Sequence, residues 1–178
     1  YRGPEILNFS NAFVRMADSL MVKEPNEKFI EGQKMRLKSR AERFFKDYNA
    51  SIDENLLAAM MEMYYENVPK DQHPEFLTKL HSKYKGDYTK YASKFFAKTQ
   101  FSSLESVNAL LENPNAKKIK NDPSVIAFQA FMNNYRSLMA LQQEANAKMS
   151  KGKRYFVDGL RKMNPSKKYY PDANFTMR

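Results

Sequence analysis

His73 and His81 are the two imidazoles in this chain of 178 residues. They stand eight positions apart, about two helical turns, so one helix would place both on one face. Such a pair begins a metal site, but zinc takes about four ligands, and neither an HExxH pair nor a cysteine is present to complete the set. Pro74, directly after His73, suits a helix start better than a ligand position. Both histidines read as surface or cap residues. Ser150-Lys151-Gly152-Lys153 has the S-x-x-K spacing of Ser–Lys acyl enzymes. That chemistry needs a desolvated lysine and partner motifs of the SDN and KTG kind. Neither motif occurs, and the segment is densely charged, so a solvated helix bend is the better reading. A nucleophile elbow and a P-loop are both missing, and five glycines offer little for a phosphate-cradling loop.

The absence of cysteine excludes disulfides, thiolate metal sites and a cysteine nucleophile, and it fits any compartment. The carboxylates lie along amphipathic stretches beside Lys and Arg, where pairing at i,i+4 accounts for them without catalysis. These residues therefore assign no catalytic group, no metal site and no cofactor.

Charge is unevenly placed. Thirty Lys and Arg face twenty Asp and Glu, a formal net charge of +10. Residues 1–50 carry ten basic and seven acidic groups, residues 51–144 eleven of each, and residues 145–178 nine against two. The tail cations (Lys148, Lys151, Lys153, Arg154, Arg161, Lys162, Lys167, Lys168) are able to neutralise phosphates, and Tyr155, Tyr169 and Tyr170 to stack bases. No recognised nucleic-acid motif surrounds them, so a solvated face, or one docked on an acidic protein surface, is preferred.

The elements carrying these residues are helical. Hydrophobic residues make up 42% of the chain, enough for a core, yet no apolar run approaches a membrane span. Gly3-Pro4 opens a run with Ile6, Phe13, Ala17 and Leu20 at helical spacing. Pro25 opens a second, with Ile30, Leu37, Ala41, Phe44, Phe45 and Tyr48 on one face. Ser51-Ile52-Asp53-Glu54 reads as a capping box for a helix whose stripe is Leu56, Met60, Met63 and Tyr64. Shorter helices follow from about Pro74 and after Gly86-Asp87. Ser102-Ser103-Leu104-Glu105 reads as a second capping box, for a helix that stops before Asn113-Pro114. Asp122-Pro123 caps the longest run, from Phe128 through Phe131, Tyr135, Leu138, Gln142, Ala145 and Met149 towards Phe156, Leu160 and Met163. Unbroken, Ser124 to Met163 would measure about 60 Å at about 1.5 Å per residue. A compact chain of this size has a radius of gyration of about 16 Å. A break near Ser150-Lys151-Gly152 is therefore expected.

The fold class is all-α, with seven or eight amphipathic helices joined by short connections. Residues 1–164 form the helical domain; residues 165–178 are a loop and a strand start. Asn164-Pro165 ends the helices, and Ala173 to Arg178 alternate like a strand that has nothing to pair with. The first residue is Tyr rather than Met, and the whole reads as a piece of a longer protein.

The segment Tyr170-Pro171-Asp172-Ala173-Asn174-Phe175-Thr176-Met177-Arg178 closely resembles one from serine peptidase family 46, the bacterial dipeptidyl aminopeptidases of the dipeptidyl-peptidase 7 and 11 type. Tyr155-Phe156-Val157-Asp158-Gly159-Leu160 with Met163-Asn164-Pro165 resembles the family's approach to it. Gly3-Pro4-Glu5-Ile6-Leu7, Phe44 to Asn49, and Lys85 to Tyr91 extend the resemblance over essentially the whole chain, in order.

The resemblance implies a chymotrypsin-like double β-barrel with a His, Asp and Ser triad, and a large helical domain inserted between the barrels. This chain would be the later part of that insertion. It would cap the cleft where dipeptides are released from free N-termini of peptide substrates. The family's triad would lie outside these residues, with His and Asp before the insertion and Ser beyond Arg178. Neither His73 nor His81 falls in a matching motif. Asn164, Pro165, Tyr170, Pro171, Asp172 and Asn174 would form the junction back to the barrel. The implied partners are the peptide substrate, the barrels of the same chain and a second copy in a homodimer; no membrane is implied, and the location is periplasmic or secreted. The alternative, read from the charge alone, is a basic helical module binding nucleic acid or protein.

Overall fold

The structure, a computed structural model, describes residues 3–169. Among them are ten α-helices and one short 3₁₀ turn, and no strand. The all-α expectation holds. The expected strand at Ala173 to Arg178 lies outside the described residues. The chain divides into two compact units, residues 1–135 and 136–178.

The first unit contains α1 (Glu5–Asn11), α2 (Val14–Leu20), α3 (Glu27–Phe44), α4 (Ala50–Asn67), the 3₁₀ turn Lys70–Gln72, α5 (Glu75–Tyr84), α6 (Tyr88–Phe96), α7 (Leu104–Glu112) and α8 (Ala116–Lys120). It also holds most of α9 (Pro123–Leu141). Polar caps set several helix starts by accepting amides that have no partner within the helix. Asn26 accepts from Phe29 N, Asp87 from Lys90 N, Ser103 from Ser106 N and Asn115 from Lys118 N. Within the unit α4 packs against α6, α2 against α8 and α3, α3 against α7, and α5 against α6.

Phe9 sits at the centre of an aromatic cluster. It stacks on Phe44 at 4.1 Å and meets Phe13, Phe45 and Phe101 edge-on at 5.4, 5.5 and 6.2 Å. Edge and offset contacts of this kind suit the ring quadrupole and add to the area term. The same packing explains why the first run is two helices rather than one. Ala12 N and Phe13 N bond to Phe9 O and Ser10 O, one residue closer than an α-helix requires, and the tightened turn separates α1 from α2. Both Phe9 and Phe13 are thereby fully buried.

Ten helices exceed the expected seven or eight for two reasons. The first is this split. The second is α8, five residues held by the Asn115 cap and buried Ile119, too short for periodicity to register. Two caps also differ from expectation. Asn49, not Ser51, caps α4, accepting from Ser51 N and Ile52 N. Ser103 rather than Ser102 caps α7, with Ser106 in place of Glu105 as its partner.

α4 is turned differently from its expected stripe. Asp53, Leu57, Ala58 and Met61 are buried, while Leu56 and Met63 are 39% and 56% exposed. The helix is apolar most of the way round, so spacing alone does not select a face. Asp53 selects it.

In the second unit, α10 runs Gln143–Met163 without interruption through Ser150, Lys151 and Gly152. The break falls instead at Gln142, whose amide bonds to Met139 O. A glycine in an exposed helix lowers its stability without ending it. A 3₁₀-type closure, by contrast, ends the α-helical ladder at that point. α10 buries no residue.

Candidate functional site

His73 ends the 3₁₀ turn, and its Nε2 lies 2.8 Å from Val68 O. His81 lies in the last turn of α5, with Nδ1 2.9 Å from the Tyr88 hydroxyl and its ring stacked on Tyr65 at 3.7 Å. Both histidines contact Tyr65, and no group of three or more metal-binding side chains occurs among the described residues. Burial pushes the Tyr88 hydroxyl up to about 12, with smaller contributions from Tyr65, Glu62 and Glu66. Tyr91 is raised by burial and by Tyr84. Both tyrosine hydroxyls are thus held in their neutral form over the ordinary pH range, and the two histidines take part in local packing and hydrogen bonding.

Ser150 and Lys153 are both exposed on α10, so the lysine lacks the desolvation that would make it a base. Pairing at helical spacing does account for several carboxylates: Glu31 with Lys34, Glu75 with Lys79, Glu144 with Lys148 and Asp158 with Lys162, at 2.7–2.8 Å. The Lys79 hydrogen bond holds the Glu75 carboxyl below its usual range, and Asp158 raises Lys162 in the same way.

Asp18 departs from that reading by pairing with Lys120 of α8 at 2.7 Å, and two buried carboxylates depart from it further. Asp53 is buried and accepts from Glu5 N at 2.8 Å, Ile6 N at 3.0 Å and the Tyr48 hydroxyl at 3.1 Å. It thus binds the first amides of α1 from within α4, and the Tyr48 hydroxyl is raised by burial and by this neighbour. Asp122 is buried too. Its Oδ2 accepts from Gln100 N, and its Oδ1 from the Thr99 hydroxyl and from Ser124 N and Oγ. Each carboxylate joins a helix start to a segment 22–48 residues away, in positions where unpaired donors would be costly. Sequence reasoning took Asp122 as a cap and missed its second role. It placed Asp53 only within a capping box and missed its bonds to α1, although α4 carries no Lys or Arg with which an i,i+4 pair could form.

A cleft in the first unit has a volume of about 560 Å³. Phe9, Phe44, Leu56 and Met60 line its apolar part, with Glu5 and Arg40 exposed at the edge. Such a groove accommodates an apolar side chain but brings no nucleophile and base together. In the second unit Asn164 caps the end of α10 through its amide to Leu160 O, and Pro165 stands in the turn that follows. The Tyr169 hydroxyl donates to the same Leu160 carbonyl at 3.1 Å. Tyr170, Pro171, Asp172 and Asn174 lie outside the described residues.

Fold and site together define an all-helical body tied by buried carboxylates, followed by a basic exposed helix. The chain belongs to the Peptidase S46 family, whose model matches residues 1–178. It is 35% identical over 139 residues to a dipeptidyl-peptidase 7 of Porphyromonas gingivalis, covering 75% of this chain and 20% of that protein. A dipeptidyl-peptidase 7 of Porphyromonas endodontalis is 32% identical, covering 80% of this chain and 18% of its own length. An Asp/Glu-specific dipeptidyl-peptidase of Porphyromonas gingivalis is 27% identical, over 80% and 20%. The chain spans about a fifth of the length of these curated relatives. No helix among the described residues is long and apolar enough to cross a membrane.

Proposed function

We propose that this chain is the non-catalytic helical domain of a serine dipeptidyl peptidase that releases dipeptides from the free N-termini of peptides. The observation that carries the reading is the family match along residues 1–178, with relatives named dipeptidyl-peptidases. The helical body supports the domain's role as a cap over the cleft. A cap excludes water and admits only a chain whose amino terminus is seated, so it restricts the reaction without supplying a reacting group. The same reading places the protein in the periplasm or outside the cell, pairs the domain with barrels of the same polypeptide, and allows a homodimer. The junction at Asn164 and Pro165, continuing through Tyr170, Pro171, Asp172 and Asn174, is where the cap would swing. Crystal forms with and without bound peptide that share one cap angle would refute that motion.

The test is dipeptide release by the protein at its natural length, on peptides with free and acetylated N-termini, with residues 1–178 as the control. The expected result is release from free N-termini only, stopped by a serine-directed inhibitor and absent from the control. Equal release from acetylated peptides, or no release by the folded protein, would overturn the reading.

A further inference from the structure

The cleft in the first unit is built by three helices, each supplying side chains one turn apart and therefore on one face. Glu5, Asn8 and Phe9 come from α1, Arg40 and Phe44 from α3, and Leu56 and Met60 from α4. The rings, Leu56 and Met60 make one part of it apolar, and three polar side chains of different kinds share the rest. Glu5 and Arg40 are exposed, and among the described residues neither forms an ion pair, with the other or elsewhere. The Asn8 carboxamide has no hydrogen-bond partner among those residues either.

We propose that this cleft binds a dipeptide with both ends free and an apolar side chain, its ammonium group on Glu5 and its carboxylate on Arg40. The apolar side chain lies against Phe44, Leu56 and Met60, and Asn8, which can donate and accept, takes the peptide unit. Size selects a small ligand. The volume of about 560 Å³ is that of a small-molecule site, whereas a protein partner needs about 20 residues a side. The polar groups select among small ligands. A fatty acid would use Arg40 and set its chain against Glu5. An alkylamine would use Glu5 and leave Arg40 unanswered. A single amino acid carries both charges on one carbon, while Glu5 and Arg40 stand too far apart to pair with each other. Two extended residues span about 7 Å and separate the charges. None of the lining residues is assigned to peptide hydrolysis, so the inference goes beyond the peptidase reading and stands without it.

The experiment follows the Met60 methyl group by NMR in the purified protein at its natural length, labelled at its methionine methyl groups and titrated with leucyl-phenylalanine. A signal inside the cleft reports this site, and variants of the polar groups separate it from binding elsewhere. Met60→Leu assigns the signal, and the methyl groups of buried Met16 and Met61 serve as the check on folding. The expected result is a saturable shift of Met60. Acetylating the amine or amidating the carboxylate should each weaken binding about threefold, the worth of an exposed ion pair. The first effect should vanish in E5Q and the second in R40Q. Glycyl-glycine, which lacks the apolar side chains, should bind about tenfold more weakly. No saturable shift of Met60, blocked peptides that bind as tightly as the free one, or blocking effects that persist in E5Q and R40Q would each overturn the proposal. So would hexanoate or hexylamine binding as tightly as the dipeptide. Hydrolysis is measured separately, and neither its presence nor its absence alters these outcomes.

Discussion

The first unit and α10 are built from similar side chains and meet opposite fates. Phe9, Phe13 and Phe101 are buried to within 2%. Phe156, on a helix of equally regular amphipathic spacing, is 69% exposed. Periodicity determines that a segment is a helix and which side is apolar; it does not supply the surface that covers that side. In the first unit, helix–helix contacts and two buried carboxylates supply it. In α10 the described residues show local devices: the i,i+4 ion pairs, Lys151 over the Tyr155 ring at 5.6 Å, the Asn164 cap and the Tyr169 hydroxyl on Leu160 O.

Truncation of a ring should give the sharpest contrast between the regions. Phe9→Ala removes the centre of a five-ring cluster, Phe9, Phe13, Phe44, Phe45 and Phe101, and should destabilise the first unit by about 4 kcal/mol. Phe156→Ala should leave the urea midpoint of that unit unchanged. Far-UV circular dichroism reads both, and equal midpoints for the two variants would end the distinction.

Asp122→Ala and Asp53→Ala come next. Each strands several buried donors, and a loss of about 3 kcal/mol is expected from each. Asp158→Ala, which breaks only an exposed pair with Lys162, should not move the same transition. A latch variant with an unaltered midpoint would show that packing alone holds the helix starts.

The latches also mark how far the sequence could be read. The all-α class and the resemblance to serine peptidase family 46 were legible because helical spacing and short local words survive without a partner. The face of α4 was not, since nine of its residues, from Ile52 to Tyr64, are apolar or aromatic and only Asp53's bonds to α1 choose among the rotations. The position of the break was missed for a related reason. Gly152 is the weak spot by propensity, but with nothing packed against it there is no force to bend the helix there.

A smaller and reversible effect distinguishes the regions at high pH. Folding raises the pKa of Tyr88 to about 12, so the folded state holds its proton more tightly than the unfolded chain. Its contribution is fully present below about pH 10, the unfolded value, and is lost as pH rises through about 12. Tyr48 and Tyr91 are shifted in the same direction and add to the slope. The midpoint of the first unit should therefore fall steadily above pH 10, and a flat profile to pH 12 would contradict the burial of these hydroxyls.

The finest test compares two glycines. Gly86 has φ +78°, a conformation L-residues rarely adopt, and a Cβ there would lie 3.3 Å from His81 Cε1. Gly86→Ala should cost about 1–2 kcal/mol in the first unit. At Gly152 the backbone is helical and the space is open, so alanine should stabilise α10 by up to about 1 kcal/mol, read as slower amide exchange from Lys151 to Phe156. Faster exchange in the Gly152→Ala variant would show that a force other than helix propensity acts on α10 at this position.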